Sequence, residues 1–323
     1  MLNHHIQANA IKQHVDKAGK ILVVSHKKPD ADTLGSACAW LSLLTSRGKE
    51  AHAFCLDPVP DNLKFLPESH RISTDRRLFN QQLDLIIVND SGSPDYAGVD
   101  VLLLGRPKDN CVVVNIDHHA TNTLYADINL VIPDASSTTE VLSRLFAHWE
   151  EPMTKPIAQA LLTGLITDTD RLMNPATSHR SFAIASQLVA AGGDLYEAIQ
   201  RTLNNKSVAD LKLWGIAFSR LRRNPRYDCV ATYLTHEDVM RAGGTEDTAE
   251  GIINYLSLIP DARVIMMLRT QADGSIKGSF RTTKEGVDVG KLALLMGGGG
   301  HKKASGFRIF GKLLTEGTRW TIV

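Results

Sequence analysis

KILVVSHKKPDADTLGSACAWLSLL, residues 20–44, is the stretch on which the reading of the fold turns. Residues 20–25 are an apolar run rich in β-branched side chains, the pattern of a strand buried on both faces. Residues 34–44 carry apolar side chains at helical spacing, and Gly48 supplies a stop. A strand, a polar loop and a helix therefore follow one another. The strand pattern returns at 51–56, 83–89 and 111–116, with helical segments between. Such runs predict an α/β fold whose N-terminal part is a parallel sheet covered on both faces.

Beyond Asp134 the pattern turns helical, at 137–149, 155–167, 178–191 and 195–203, with Gly192-Gly193 as a stop and Pro152 and Pro156 punctuating a junction. A further helix over 208–221 runs into Arg222, Arg223, Asn224 and Pro225, a polar, proline-marked break read as the domain boundary. The expected organisation is a catalytic domain over 1–205, a helical linker over 206–225 and a C-terminal domain over 226–323. In that last part, strands are expected at 228–234, 263–270 and 275–282, the latter two joined by an Asp273-Gly274 turn. With helices at 248–258 and 289–296, this is a smaller mixed α/β unit. No internal repeat or low-complexity segment interrupts the pattern.

The composition allows a large core: 323 residues, 43% hydrophobic and 22% charged. A formal charge of +1 gives no global attraction to a polyanion, so contact with nucleic acid must be local. Residues 269–312 hold nine Lys or Arg against three Asp or Glu, which reads equally as a phosphate-facing surface or as a solvated basic face. Cys38, Cys55, Cys111 and Cys229 are scattered through apolar runs, which argues for reduced thiols rather than a disulfide framework or a thiolate zinc site. There is no apolar run of membrane-spanning length and no basic-then-apolar leader, so a cytoplasmic protein is expected.

Acidic and histidine residues recur where apolar runs end: His26, Asp30 and Asp32 after the first strand, Asp90 after LDLIIVN, Asp117-His118-His119 after CVVVNI, and Asp168 after a helical run. Ligands in an open α/β sheet gather outside the carboxyl ends of its strands. A single Asp there is usually a cap or turn residue. Four such termini carrying hard oxygen donors and imidazoles instead suit two divalent cations sharing a carboxylate, the arrangement used to hydrolyse phosphate esters. The spacing of Asp30 and Asp32 in a loop lets them point to neighbouring cation positions. A second signature, GGGGHKKASGF at 297–307, offers unshielded backbone N–H groups to an anion, with His301, Lys302 and Lys303 beside them. Taken alone, the glycine run reads more readily as the flexible tip of a hairpin.

These motifs together, HxxxDxD at His26 to Asp32, the Asn89-Asp90 pair, the Asp117-His118-His119 triplet, Asp168 and the C-terminal glycines, resemble the DHH phosphoesterase family over nearly the whole chain. The likeness is to its short, two-domain branch of nano-RNA exonucleases and 3′-phosphoadenosine-5′-phosphate (pAp) phosphatases. It implies one cation, usually Mn2+, on His26, Asp30 and Asp90, and a second on Asp32, Asp90, His118 and Asp168, with Asp90 bridging. It also implies that His119 faces the scissile phosphate, with Asp117 orienting an imidazole. Arg281, together with Gly298, Gly299, Gly300 and His301, would contact the substrate's distal phosphate or terminal nucleotide. One departure stands out: where many members of the resembled family have glycine, this chain has Asp170, which either reaches a metal-bound water or, the favoured reading, pairs with Arg171 at the surface.

The implied substrates are short RNA oligonucleotides or pAp. Linear dinucleotides derived from cyclic ones, or pyrophosphate and polyphosphate, are alternatives, as is a nucleotide-binding regulatory module without turnover. The longer RecJ-type nucleases carry domains for which this chain has no room, and aromatic residues are only 6% of it. The oligomeric state is open, a homodimer being one expectation.

Overall fold

The computed structural model describes residues 4–104, 111–244, 251–316 and 319–323. The chain divides into two compact units, Met1–Asn205 and Lys206–Val323.

The first unit begins with α1 (His5–Lys17), β1 (Lys20–Ser25), α2 (Ala31–Ser46), β2 (Glu50–Cys55) and the two-residue β3 (Ile72–Ser73). It continues with β4 (Leu85–Asn89), two short helices α3 (Pro94–Ala97) and α4 (Asp100–Leu104), β5 (Val112–Asp117) and β6 (Ile128–Val131). Four helices close it: α5 (Thr138–His148), α6 (Lys155–Asp168), α7 (His179–Ala190) and α8 (Leu195–Thr202). Every strand pairs in parallel, in the order β3-β2-β1-β4-β5-β6. Ile21 and Val23 pack into one core with α2, α5 and α6, while Leu22 and Val24 pack into a second on the opposite face. Burial on both faces is why β1 reads as an unbroken apolar run rather than an alternating one.

The strand order reverses between β1 and β4, which are neighbours although 64 residues separate Ile21 from its partner Leu85. The carboxyl ends of these two strands carry His26 and Asp90, so both stand at the topological switch point, where open α/β sheets bind ligands.

The helix read at 34–44 begins earlier, at Ala31. The Asp30 side chain caps it, accepting from the N–H groups of Asp32 at 3.0 Å and Thr33 at 3.1 Å. Asp30 and Asp32 are thus a cap and a first-turn residue, not two members of a free loop. Helices α2 and α6 meet at glycines: a Cβ on Gly35 would stand 2.5 Å from the Ala160 carbonyl oxygen. This close crossing carries the C-terminus of α6, with Asp168, towards the N-terminus of α2.

The second unit holds α9 (Val208–Ser219), β7 (Arg222–Asn224), β8 (Cys229–Leu234), α10 (His236–Ala242), α11 (Ile252–Leu256), β9 (Val264–Thr270) and β10 (Ser275–Arg281). It ends with α12 (Val289–Leu295), β11 (Gly299–Gly300), β12 (Ala304–Phe310) and a separate hairpin of β13 (Leu313–Glu316) and β14 (Arg319–Ile322). Its mixed sheet has the order β11-β12-β10-β9-β8-β7, with β8 and β9 parallel and the other pairs antiparallel. The expected linker over 206–225 is not a separate element. Leu213 and Ala217 of α9 are fully buried in this unit's core, and Arg222–Asn224 is an edge strand of its sheet. Polar residues at that strand imitate a domain break because the strand is solvated. Of the helix expected at 248–258, residues 248–250 lie outside the described residues. Among the described residues, no helix is long and apolar enough to cross a membrane.

Candidate metal centre

The predicted ligands of the first unit converge. Among the described residues, three sets of donor atoms each lie within 4.8 Å of one another: His26, Asp30 and Asp90; Asp32, His118 and Asp168; and Asp90, His118 and His119. Asp90 joins the first and third sets through different oxygens. Its Oδ2 is 3.3 Å from His26 Nε2, whereas its Oδ1 is 3.7 Å from His118 Nε2. A left-handed backbone at Asp90, φ 55°, turns the chain out of β4 and aims the carboxylate between the two groups.

Backbone carbonyls orient the imidazoles. His26 Nδ1 lies 2.8 Å from the Lys27 carbonyl oxygen and His118 Nδ1 lies 3.3 Å from that of Ala135. With Nδ1–H donating in each case, Nε2 is presented to the carboxylates as a lone pair, the form in which imidazole ligates a metal. His118 Nε2 is also 3.6 Å from Asp168 Oδ2.

His119 differs. Its Nδ1 is 2.8 Å from Asp117 Oδ1 and 3.7 Å from Asp90 Oδ1, so that nitrogen is committed to Asp117 as a donor. Asp117 also accepts from the His118 N–H at 2.8 Å and from Asn122 Nδ2 at 2.6 Å. Burial alone would raise its pKa, but the bonds from His119 and Asn122 hold it below the usual carboxylate range. Asp117 is therefore a fixed anion that positions His119 and belongs to none of the three donor sets.

Electrostatics give the cluster its character. Burial and the charge of Asp90 push Asp32 up to about 7, and burial together with Asp32 and Asp90 raises Asp168 well above the ordinary carboxylate value. Burial opposes charge on His26, yet its bonds to Asp30 and Asp90 outweigh that and push it up to about 12. Crowded carboxylates that resist ionising, beside imidazoles drawn towards the charged form, mark a deficit of positive charge. A set of four carboxylates and two neutral imidazoles fits divalent cations that favour oxygen and nitrogen.

Several participants escape a reading by motif. Thr138 and Thr139 open α5, and their N–H groups donate to Asp32 at 2.7 and 2.9 Å. The Thr139 hydroxyl adds a third bond to Asp32 at 2.7 Å, and the Thr138 hydroxyl donates to Asp90 Oδ1 at 2.9 Å. Their signal was the helix start, with Ser137 as N-cap and Glu140 three residues on. Tyr96 stacks obliquely on His26 with ring centres 4.9 Å apart, and nothing in the sequence around it marks it.

Asp170 pairs with Arg171 at 2.8 Å, and residues 170 to 172 all have positive φ, at 46°, 61° and 63°. That conformation costs L-residues roughly 1–2 kcal/mol each, a strain that glycine at this position would relieve.

In the second unit, Arg281 ends β10 and pairs in register with Ala304, next to the His301–Ala304 turn. Burial lowers its pKa, and its Nε donates to Asn254 at 3.0 Å. The glycines divide by role. A Cβ at Gly298 would stand 2.1 Å from the Gly306 oxygen, and one at Gly300, φ 136°, would stand 2.7 Å from the Ala304 oxygen, so both permit pairing with β12. Gly299 faces open space. In the basic stretch, Lys277 lies in register between Arg269 and Arg308, three cationic side chains side by side across the sheet.

A model of the DHH family N-terminal domain matches residues 20–165, and one of the DHHA1 domain matches residues 229–315. The bifunctional oligoribonuclease and PAP phosphatase NrnA of Thermus thermophilus is 28% identical over 293 residues, spanning 91% of this chain and 85% of the relative. The protein of the same name from Bacillus subtilis is 23% identical over 296 residues, spanning 90% of this chain and 89% of its own. The crystal structure of an exopolyphosphatase-related protein from Bacteroides fragilis superposes with a TM-score of 0.88 at 25% identity, over 95% of this chain and 92% of that one.

Proposed function

The chain belongs to the DHH family, and from that premise we propose that it is a metal-dependent phosphoesterase acting on short oligoribonucleotides and on pAp. The observation that carries the reading is Asp90, whose two oxygens face two different groups of imidazole and carboxylate donors. Two divalent cations, Mn2+ in this proposal, are assigned to His26, Asp30 and Asp90 and to Asp32, Asp90, His118 and Asp168. When bound, such cations lower the pKa of water towards neutrality and offset the charge of the phosphate.

The protein's own groups do the rest. The Lys27 and Ala135 carbonyls hold His26 and His118 in one tautomer, so neither ring must reorient during turnover. Asp117 retains the Nδ1–H of His119, which directs Nε2 of that ring away from Asp117, where it is suited to donate to a phosphate or leaving oxygen. In the second unit, Arg281, Gly298, Gly299, Gly300 and His301 are assigned to the substrate's distal phosphate or terminal nucleotide. The half-buried guanidinium of Arg281 and the open approach at Gly299 support this assignment. Four free cysteines suit a reducing compartment, and the cytoplasm is the proposed site of action.

The test is a substrate panel with Mn2+: RNA dimers to pentamers, pAp, linear dinucleotides and pyrophosphate. Release of mononucleotides from the short RNAs and of phosphate from pAp is expected, with both lost in Asp90→Ala at saturating metal. Turnover of pyrophosphate alone, or tight binding of a dinucleotide without product, overturns the proposal.

A further inference from the structure

Thr138 donates hydrogen bonds to two of the acidic residues of the cluster, and it reaches them unevenly. Its N–H donates to Asp32 Oδ2 at 2.7 Å and its hydroxyl to Asp90 Oδ1 at 2.9 Å. The hydroxyl has no duty in ending the helix, because Ser137 caps α5 by accepting from the Glu140 N–H at 2.9 Å. Asp90 Oδ1 is the oxygen turned towards His118, while Oδ2, turned towards His26, has no bond to Thr138. Asp32 also stands with His118 and Asp168.

The opposite group is held by other means. Asp30 takes its donors from Asp32 and Thr33 at the start of α2, and His26 is fixed by Lys27. The two groups share Asp90 but are braced by different helices.

Resting on the metal-dependent reading above, we propose that the Thr138 hydroxyl is a positioning group that fixes the shared carboxylate for the cation of the His118, Asp32 and Asp168 group. It leaves the His26 and Asp30 group largely unaffected. A carboxylate oxygen has two lone-pair directions, and a hydroxyl occupying one of them leaves the other aimed at the cation. Removing such a supporting hydrogen bond typically costs about 10–100-fold in metal affinity. The two sites should therefore separate when the hydroxyl is deleted.

The experiment titrates metal-free full-length protein with Mn2+ by calorimetry. Thr138→Val removes the hydroxyl, keeps the N–H and preserves shape. Thr138→Ser restores the hydroxyl. Two binding events are expected for the wild type, with one weakened about 10-fold or more in Thr138→Val and recovered in Thr138→Ser. The loss should persist when Thr138→Val is made in His26→Ala, which keeps the His118 group, and vanish when it is made in His118→Ala. If far-ultraviolet circular dichroism shows Thr138→Val unfolded, Thr138→Ala is read in its place. Unchanged affinities in the valine variant, an equal loss in both backgrounds, or no recovery with serine each overturn the assignment. A wild type that binds fewer than two ions overturns it together with the two-cation reading, so the two failures are told apart.

Discussion

Adding one methyl group at Gly164 should damage catalysis more than stability. Gly164 lies in α6, one turn before Asp168, and a Cβ there would stand 2.5 Å from Thr139 Cγ2, 2.8 Å from Thr139 Oγ1 and 2.9 Å from Asp32 Oδ1. Restoring an ordinary carbon contact of about 3.5 Å requires α6 and the start of α5 to part by about 1 Å. Alanine in a helix interior gains about 1 kcal/mol over glycine, whereas overpacking a tight interface costs about 1–3 kcal/mol, so the net loss is about 0–2 kcal/mol. At about 2–4 °C per kcal/mol for a unit of this size, Tm should fall by no more than about 8 °C. The same displacement moves Asp32 and its threonine donors, and misplacing a reacting constellation by about 1 Å costs as much as about 100-fold in rate. Calorimetric melting and kcat on an RNA dimer at saturating Mn2+ measure the two effects. Gly215→Ala is the control, since nothing lies within 4 Å of a Cβ there; it should gain up to about 1 kcal/mol with unchanged kcat. A Gly164→Ala protein with wild-type turnover would refute the claim that this helix contact sets the geometry of Asp32.

Asp170→Gly removes a residue held at φ 46° and a half-exposed ion pair with Arg171. The relief of about 1 kcal/mol and the loss of under about 1 kcal/mol nearly cancel, so Tm should move little while the ratio of rates on RNA dimer and pAp shifts. Saturating the protein with Mn2+ at 100 times its Kd should stabilise it by about 2.7 kcal/mol, raising Tm by about 5–11 °C in a thermal scan. That gain should disappear in Asp90→Ala. In the second unit, Asp238 is buried against Arg220, and although burial alone would raise its pKa, the bonds from Arg220 and Thr235 hold it below the ordinary carboxylate value. A depressed folded pKa contributes stability above the unfolded value of about 3.9 and loses it as pH falls through the folded value. Urea midpoints measured from pH 7 down to 3 should therefore fall more steeply for the wild type than for Asp238→Asn, and parallel curves would contradict this.

What the sequence disclosed depended on how locally each feature is encoded. β1, β4 and β5 were legible because burial on both faces leaves uninterrupted apolar runs. β3 was not, because two residues at the sheet edge carry no period. β7 was mistaken for a break because its three residues are all exposed. The acidic and histidine residues that converge were legible as residue types at the ends of elements. The donors that orient them were not, because Thr138 and Thr139 meet Asp32 across more than a hundred residues of chain. Asp117 and His119 were legible as a triplet, but only distances reveal that His119 Nδ1 sits closer to Asp117, at 2.8 Å, than to Asp90, at 3.7 Å.

The switch in strand order has a consequence for biogenesis. Donors on α2, β4, β5 and α6 are contributed by segments that leave the ribosome one after another, and Asp168 emerges last of them. A nascent chain halted before α6 would own His26, Asp30 and Asp90 yet lack the residue that completes the other group. If the proposed cations bind, full cation capacity would report that the chain has been synthesised and threaded as far as the end of α6, leaving only α7 and α8 of this unit to follow.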